Sequence, residues 1–113
     1  MTDIQGERHK FEALLDTGAP ASEFSDTALH YAGLLQEPIQ DVPLHQGLPT
    51  QKYSRLLLPS VEVCSHRLCH LNVYVSRFEQ SWGIKALIGL DFFRHIKVTI
   101  DYQHGHLITQ PYG

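Results

Sequence analysis

The sequence predicts a mostly β domain with one or two short helices, its strands arranged as a closed or partly closed barrel. Two observations support this fold class. Runs of aliphatic and β-branched residues are short, and turn-forming residues separate them along most of the chain. Segments with helical spacing are long enough for only a turn or two. The 113 residues suit one compact domain, 1–113, without room for a second.

The first elements expected along the chain are a strand, a helix and a mobile hairpin. An apolar-rich run over Lys10–Leu15 stops at Asp16, close to a glycine that permits a tight turn. Ser25 can cap a short helix from Asp26 to about Gly33, because its hydroxyl can accept hydrogen bonds from the first N–H groups of the helix. Three prolines and a glycine within Pro38–Thr50 predict an extended, irregular hairpin.

The rest of the chain predicts two further hairpins with a buried strand between them. The first hairpin pairs Leu56–Val63 with Leu68–Val75 through the link Cys64-Ser65-His66-Arg67. The buried strand is the triplet Ala86–Ile88, which a helical turn over Asp91–His95 follows. The second hairpin pairs Lys97–Tyr102 with His106–Thr109. Phe78 and Trp82 precede the triplet, and we expect them to pack in the core or in an interface.

Charge and hydropathy argue against two classes of partner. The net charge is -3 with histidine neutral, and lysine and arginine do not cluster on any segment, so we expect no nucleic-acid partner. The polar segment Met1–Lys10 lacks the apolar core of a secretory signal, and no apolar run is long enough to span a membrane. We therefore expect no membrane partner and a cytoplasmic location. Cys64 and Cys69, the only cysteines, are expected to be free thiols.

The segment around Asp16 carries the candidate chemistry. Asp16-Thr17-Gly18 places a carboxylate at the end of an apolar strand, beside a hydroxyl that can donate and accept and a glycine that allows close backbone approach. This triplet alone is weak evidence, because three common residues coincide by chance. A second element, Leu87-Ile88-Gly89, is again apolar-apolar-glycine and lies about seventy residues downstream. The pair of elements is much more specific than either one.

Together the two elements resemble the retropepsin family of aspartic proteases, in its bacterial and cellular single-domain branch. The resemblance runs from about Lys10 to Ile108 and implies that Asp16 is the catalytic aspartate. It also implies an active-site loop with dimer contacts, a bracing strand and a flap. The loop residues are Thr17, Gly18 and Ala19; the brace is Leu87, Ile88 and Gly89; and the flap, over Leu44–Leu57, includes Leu44, His45, Gln46, Gly47, Leu48, Pro49 and Thr50.

The implied reaction requires two copies of the chain. Hydrolysis of a peptide bond by an activated water needs one carboxyl group to accept a proton and another to donate one, and the sequence has one Asp-Thr-Gly. A two-fold symmetric homodimer supplies the second Asp16. Two carboxyl groups held side by side share one proton, which predicts activity at acidic to near-neutral pH on a polypeptide substrate, without metal or cofactor.

Two positions depart from the viral pattern of the family. Viral members pair an acidic residue in the catalytic loop with an arginine after the later glycine, and here these positions hold Pro20 and Leu90. We expect an apolar contact in place of the ion pair, an exchange that can be energetically neutral. The C-terminal hairpin over Lys97–Thr109 is longer than the viral tail, which implies a differently built dimer interface.

Three alternatives remain open. The first is a non-catalytic dimeric module of the same fold, which binds a partner or holds an assembly together. The second is metal binding at Cys64, His66, Cys69 and His70, which are ligand types but include no C-x-x-C pair. The third makes Asp91 a second carboxylate within the chain, although an aspartate beside a helical turn is more often a cap.

Overall fold

The computed structural model describes residues 9–35 and 50–112, which form two β-sheets, two short α-helices and a 3-10 turn. The strands are β1 (Ala13–Leu15), β2 (Glu23–Ser25), β3 (Thr50–Val63), β4 (His66–Phe78), β5 (Ala86–Ile88), β6 (Ile96–Asp101) and β7 (His106–Pro111). The helices are α1 (Asp26–Tyr31) and α2 (Leu90–Phe93), and the 3-10 turn spans Gln80–Trp82. The predicted mostly β fold with short helices is therefore confirmed.

The larger sheet brings together segments that are distant in sequence. Its strand order is β1-β5-β2-β4-β3. Strand β1 runs parallel to β5, and β2 runs antiparallel to β5 and parallel to β4. Strand β1, which leads into Asp16, is thus an edge strand whose neighbour in the sheet is β5. The triplet Ala86–Ile88 therefore positions the chain just before the candidate aspartate.

Strands β3 and β4 form a longer hairpin than the sequence predicts. The ladder extends from Val63 and His66 back to Thr50 and Phe78, and a bulge shifts its register between Lys52 and Ser54. The aliphatic pattern from which the prediction was made begins only at Leu56. The earlier part of β3 is polar and contains the bulge, so it lacks the alternation that marks a strand in the sequence.

The turn of this hairpin is also tighter than predicted. It consists of two residues, Cys64 and Ser65, in place of the four-residue link expected. Their φ angles of 52° and 66° lie in the left-handed region, which suits a two-residue hairpin turn. Residues other than glycine seldom adopt this conformation, so the sequence carried no signal for it.

The two helices are short, as predicted, and begin at defined caps. Ser25 Oγ accepts a hydrogen bond from the Ala28 N–H at 3.3 Å, which confirms the predicted cap of α1. Helix α1 ends at Tyr31, two residues before Gly33, which has a left-handed φ of 78°. Helix α2 begins directly after Gly89. None of the helices in the described ranges is long and apolar enough to cross a membrane.

One face of the larger sheet forms the hydrophobic core. Buried side chains from neighbouring strands share this face with side chains from both helices. They include Phe24, Val73, Val75, Ala86 and Ile88 from the strands and Leu29 and Phe92 from α1 and α2. Side chains alternate between the two faces of a strand, so the residues between these positions point to the opposite face.

A row of paired residues crosses that opposite face. From β1 outward the row is Leu14, Leu87, Glu23, Tyr74 and Arg55, and each residue is directly opposite the next one on the neighbouring strand. We call this set the cross-strand row. Asp16 follows Leu14 by two residues, so it belongs to the same face.

The second sheet is the hairpin of β6 and β7. Its register runs from Ile96 opposite Pro111 to Asp101 opposite His106, so the predicted C-terminal hairpin is confirmed and slightly extended. Ile96 is buried in the core, which anchors the hairpin beside α2. Farther along, the hairpin projects apolar side chains into solvent.

Candidate active site

Asp16 lies where β1 ends and a tight turn begins. Its N–H donates to the Ile88 carbonyl at 2.8 Å, which continues the ladder between β1 and β5 by one residue. The Ala19 N–H donates to the Asp16 carbonyl at 3.1 Å, and the Gly18 N–H donates to Oδ1 of the side chain at 2.9 Å. None of the described residues donates to Oδ2. The turn thus orients a partly buried carboxylate and leaves one oxygen available.

Two glycines allow this turn to pack tightly. A Cβ atom on Gly18 would lie 3.2 Å from Asp16 Oδ1. At Gly89 a Cβ atom would lie only 2.6 Å from the Ala19 carbonyl oxygen. The same Ala19 oxygen accepts a hydrogen bond from the Leu90 N–H at 2.7 Å. Gly89 is therefore required by the close approach of two backbones, and it lies against the loop that carries Asp16.

A hydrogen-bonded pair of side chains locks the two loops together. Both the N–H and the hydroxyl of Ser22 donate to the Asp91 carboxylate, at 2.8 and 2.6 Å, and the Gly89 N–H donates to Ser22 Oγ at 3.0 Å. Ser22 is fully buried. We call this arrangement the Ser22–Asp91 clamp. It fixes the far end of the Asp16 loop to the first turn of α2.

The clamp corrects two expectations. The helix cap predicted for Asp91 is wrong, because Gly89 is the N-cap of α2 and no side chain caps that helix. Both carboxylate oxygens of Asp91 instead accept from Ser22, so its observed role is to join loops rather than to act as a second acid. The polar link between the loops at the clamp was also not expected, whereas the apolar contact expected at Pro20 and Leu90 stays a prediction. Sequence patterns offered no signal for the clamp, since its two residues are 69 positions apart.

The other predicted site residues are placed as follows. Thr17 and Gly18 are exposed in the turn, and Ala19 is partly buried at its end. Leu87 and Ile88 belong to β5, beside β1. The flap residues Leu44, His45, Gln46, Gly47, Leu48 and Pro49 lie outside the described residues. Thr50 opens β3, where it pairs with Phe78, and the rest of the predicted flap to Leu57 continues along that strand.

A cavity of about 520 Å³ lies on the other side of β1 from Asp16. Its lining includes Phe11, Ala13, Phe24 and Ile88, which belong to the core side of the sheet. Asp16 is not part of the lining. The cavity therefore does not contain the predicted catalytic aspartate.

The hairpin considered for metal binding does not bring its ligand types together. Cys64 and Cys69 are both exposed and free. His66 Nε2 is within 3.0 Å of the Thr109 hydroxyl, which joins the hairpin to β7. Across residues 9–35 and 50–112 no group of three or more histidine, cysteine or acidic side chains is arranged to hold a metal ion.

A second buried carboxylate, unrelated to the predicted site, belongs to Asp26 at the start of α1. It is fully buried and accepts from the Thr27 N–H at 2.7 Å, the Tyr53 hydroxyl at 2.8 Å and Arg77 Nε at 2.9 Å. A cation and two neutral donors thus compensate its charge. This cluster connects α1 with β3 and β4 and has a structural role.

Comparisons with known proteins bear on the fold. No protein-family model matches the chain, and no curated protein is significantly similar in sequence. Among solved structures, the crystal structure of the retroviral protease-like domain of Ddi1 from Leishmania major matches with a TM-score of 0.56 and 21% identity, over 89% of this chain and 82% of that chain. At this identity the likeness concerns architecture only. The chain therefore has a retroviral protease-like fold, mostly β with two short helices.

Proposed function

We propose that the chain is an aspartic endopeptidase, which hydrolyses peptide bonds as a homodimer through Asp16 from each of two copies and an activated water. The observation that carries the proposal is the turn at Asp16. One carboxylate oxygen is oriented by the Gly18 N–H, and none of the described residues donates to the other. The retroviral protease-like fold adds support by analogy of architecture.

The proposed chemistry follows from two such carboxyl groups facing one another. At a separation of about 3 Å they cannot both ionise, so the pair holds one proton. The ionised member accepts a proton from water as the water attacks the peptide carbonyl carbon, and the protonated member donates its proton to the carbonyl oxygen. When the tetrahedral intermediate collapses, the C–N bond breaks and the departing nitrogen takes the proton that the first carboxylate had accepted from water. The second carboxylate takes back a proton from a hydroxyl of the intermediate, so the pair again holds one proton. The Gly18 N–H holds the carboxylate in orientation throughout.

The surface around Asp16 supports pairing with a second copy. Strand β1 is an edge strand, so one side of its backbone has no neighbour among the strands of residues 9–35 and 50–112. Leu14 and Leu15 on this strand, and Leu90 after the bracing glycine, each expose between 37% and 40% of their surface. Exposed apolar side chains grouped beside a polar site are typical of protein interfaces.

Cleavage of a peptide library by wild type and by Asp16→Asn, across about pH 4 to 7, tests the proposal. Asparagine keeps the shape and can still accept from Gly18, but it cannot exchange the proton, so kcat/KM should fall by about 10²- to 10⁴-fold or more. Glu62→Gln, at an exposed carboxylate near the tip of the β3–β4 hairpin, is the control and should cleave like wild type. Sedimentation should show the same dimer for all three proteins. Equal cleavage by wild type and Asp16→Asn would contradict the proposal.

A non-catalytic dimeric binding module is the second candidate. The hydrogen bond from Gly18 to Asp16 favours it, because an aspartate that closes its own turn has a structural use without any chemistry. The same experiment separates the two functions. A wild-type dimer that cleaves no peptide over the whole pH range would select the binding module.

A further inference from the structure

Glu23 is a buried carboxyl group that the proposed reaction does not use. It leaves 7% of its surface exposed, and the fully buried Ser76 donates to its Oε1 at 2.9 Å. No other described residue hydrogen-bonds to it or forms an ion pair with it. Within the described ranges, every side-chain oxygen that is fully buried has a hydrogen-bond partner. Oε2 of Glu23 has no such partner, so it must be in contact with solvent. One oxygen is thus fixed by Ser76, and the other has no partner among the described residues.

The two buried carboxylates of this region, Glu23 and Asp26, differ in their hydrogen-bond and charge partners. Asp26 has an arginine and two further donors, whereas Glu23 has a single neutral hydroxyl. A buried carboxylate without a cation is costly, so such a group either becomes neutral or is completed by a positive partner. Glu23 therefore lacks a positive partner that a bound molecule could supply.

Glu23 lies close to the candidate site, so a cation bound to it would also lie close to Asp16. Glu23 is the third member of the cross-strand row, after Leu14 and Leu87, on the face that carries Asp16. Two strand spacings separate it from β1, a distance of roughly 10 Å, which about three residues of an extended peptide would span. The floor of this face is thus apolar next to Asp16 and acidic one strand farther out.

Two positive side chains of β3, Arg55 at the outer end of the row and Lys52 nearby, do not pair with Glu23. Arg55 and Lys52 both lie over the Tyr74 ring, at 4.4 and 4.9 Å from its centroid. Neither of them pairs with Glu23, and the aromatic ring beside Glu23 holds both cations instead. The need for a positive partner is therefore not met from within the described sheet.

We propose that Glu23 is a specificity-determining residue, which binds the cationic side chain of a lysine or arginine located within about three residues of the scissile bond of the polypeptide substrate. The inference rests on the proposed function, because the peptide cleaved at Asp16 brings the cation to the row. Oε2 accepts from the substrate cation while Ser76 holds Oε1. Charge-assisted hydrogen bonds of this kind, away from bulk water, discriminate strongly between charged and neutral side chains.

Paired peptides that differ only by lysine or its neutral isostere norleucine, at each position within three residues of the cleaved bond, test this inference. Wild type should prefer lysine at one position by about 10-fold or more in kcat/KM. In Glu23→Gln the preference should fall to about 2-fold or less, and the amide oxygen can still accept from Ser76, so the fold is retained. The matched control is Asp26→Asn, which removes the other buried carboxylate and should keep the lysine preference among molecules that remain folded.

Binding of the same peptides to the Asp16→Asn and the Asp16→Asn/Glu23→Gln proteins, measured by calorimetry, makes the outcome independent of catalysis. Three outcomes would overturn the role of Glu23 and leave the protease function standing. They are cleavage without a lysine preference, a lysine preference that survives Glu23→Gln, and a preference that is lost equally in Asp26→Asn. Absence of cleavage together with lysine-selective binding that needs Glu23 would overturn the protease function and support Glu23 as the recognition residue. Neither cleavage nor selective binding would overturn both.

Discussion

Gly89 illustrates how one residue determines the shape of the candidate site. Its backbone runs so close to the Asp16 loop that a methyl group would lie 2.6 Å from the Ala19 oxygen. The φ angle of Gly89 is -112°, which any residue can adopt, so glycine is needed for space rather than for backbone freedom. Because the packing is backbone against backbone, neither partner can move aside by changing rotamer.

We expect Gly89→Ala to lower the free energy of unfolding by about 2 to 3 kcal/mol, because the added methyl group must push the Asp16 loop away from β5. Gly105→Ala is the matched control. Gly105 has open space around it and a φ of 67°, so it should lose only about 1 kcal/mol through backbone strain. Urea unfolding of both variants gives the comparison, and a loss at Gly89 no larger than at Gly105 would contradict the steric explanation.

At the scale of elements, the site is a junction between the loop after β1 and the segment that runs from the end of β5 into the first turn of α2. Backbone hydrogen bonds join them at Asp16 with Ile88 and at Ala19 with Leu90, and the Ser22–Asp91 clamp closes the far end. Both ends of the loop are thereby fixed, while Thr17 and Gly18 remain exposed between them. This arrangement holds the carboxylate of Asp16 still while leaving it accessible.

A double-mutant cycle on the Ser22–Asp91 clamp should show strong coupling. Ser22→Ala and Asp91→Asn should each lower the free energy of unfolding by about 1 to 3 kcal/mol, since each leaves a buried polar group without its partner. The double variant should lose clearly less than the sum of the two, because its members share the same hydrogen bonds. As a control, Glu62→Gln at the exposed pair with Arg67 should change stability by less than about 1 kcal/mol. Additive losses would show that the two residues do not act together.

At the scale of the whole molecule, the described surface is unevenly apolar. Exposed leucines flank Asp16 on the edge strand β1 and at the start of α2, and further apolar side chains project from the C-terminal hairpin, namely Ile100, Leu107 and Ile108. A monomer gains nothing from exposing these side chains to water, whereas a second copy would bury them. The proposed dimer thus supplies the second catalytic carboxylate and also explains why leucines are exposed beside Asp16.

We expect Leu14→Lys and Leu90→Lys to shift the protein from dimer to monomer and to reduce cleavage in parallel, because a buried ammonium group at the interface is costly. Tyr31→Lys is the control, since Tyr31 exposes 95% of its surface at the end of α1, outside both the flap and the edge strand β1. Sedimentation velocity and peptide cleavage across a range of protein concentrations give both readouts. Undiminished cleavage by a protein that sediments as a monomer would argue against a dyad shared between copies.

Sequence patterns predicted the fold class and the Asp16 turn because these depend on local features. Short aliphatic runs mark the strands, Ser25 marks its helix, and a glycine follows each apolar segment at the junction. The polar half of β3 and the two-residue turn at Cys64 were missed because neither carries the usual residue preferences. Glu23 and the Ser22–Asp91 clamp were missed for another reason. Their significance depends on pairing between strands far apart in sequence, which periodicity cannot reveal.

The parallel pairing of β1 with β5 has a consequence for how the protein is made. A nascent chain emerging from the ribosome exposes Asp16 long before Ala86–Ile88 has been synthesised, and until then the aspartate has no neighbouring strand to hold it. Closing so large a loop is also slow compared with forming a local hairpin. The turn that carries Asp16 therefore acquires its bracing strand only after about seventy further residues have been translated, which delays the acid group on which the proposed protease function depends.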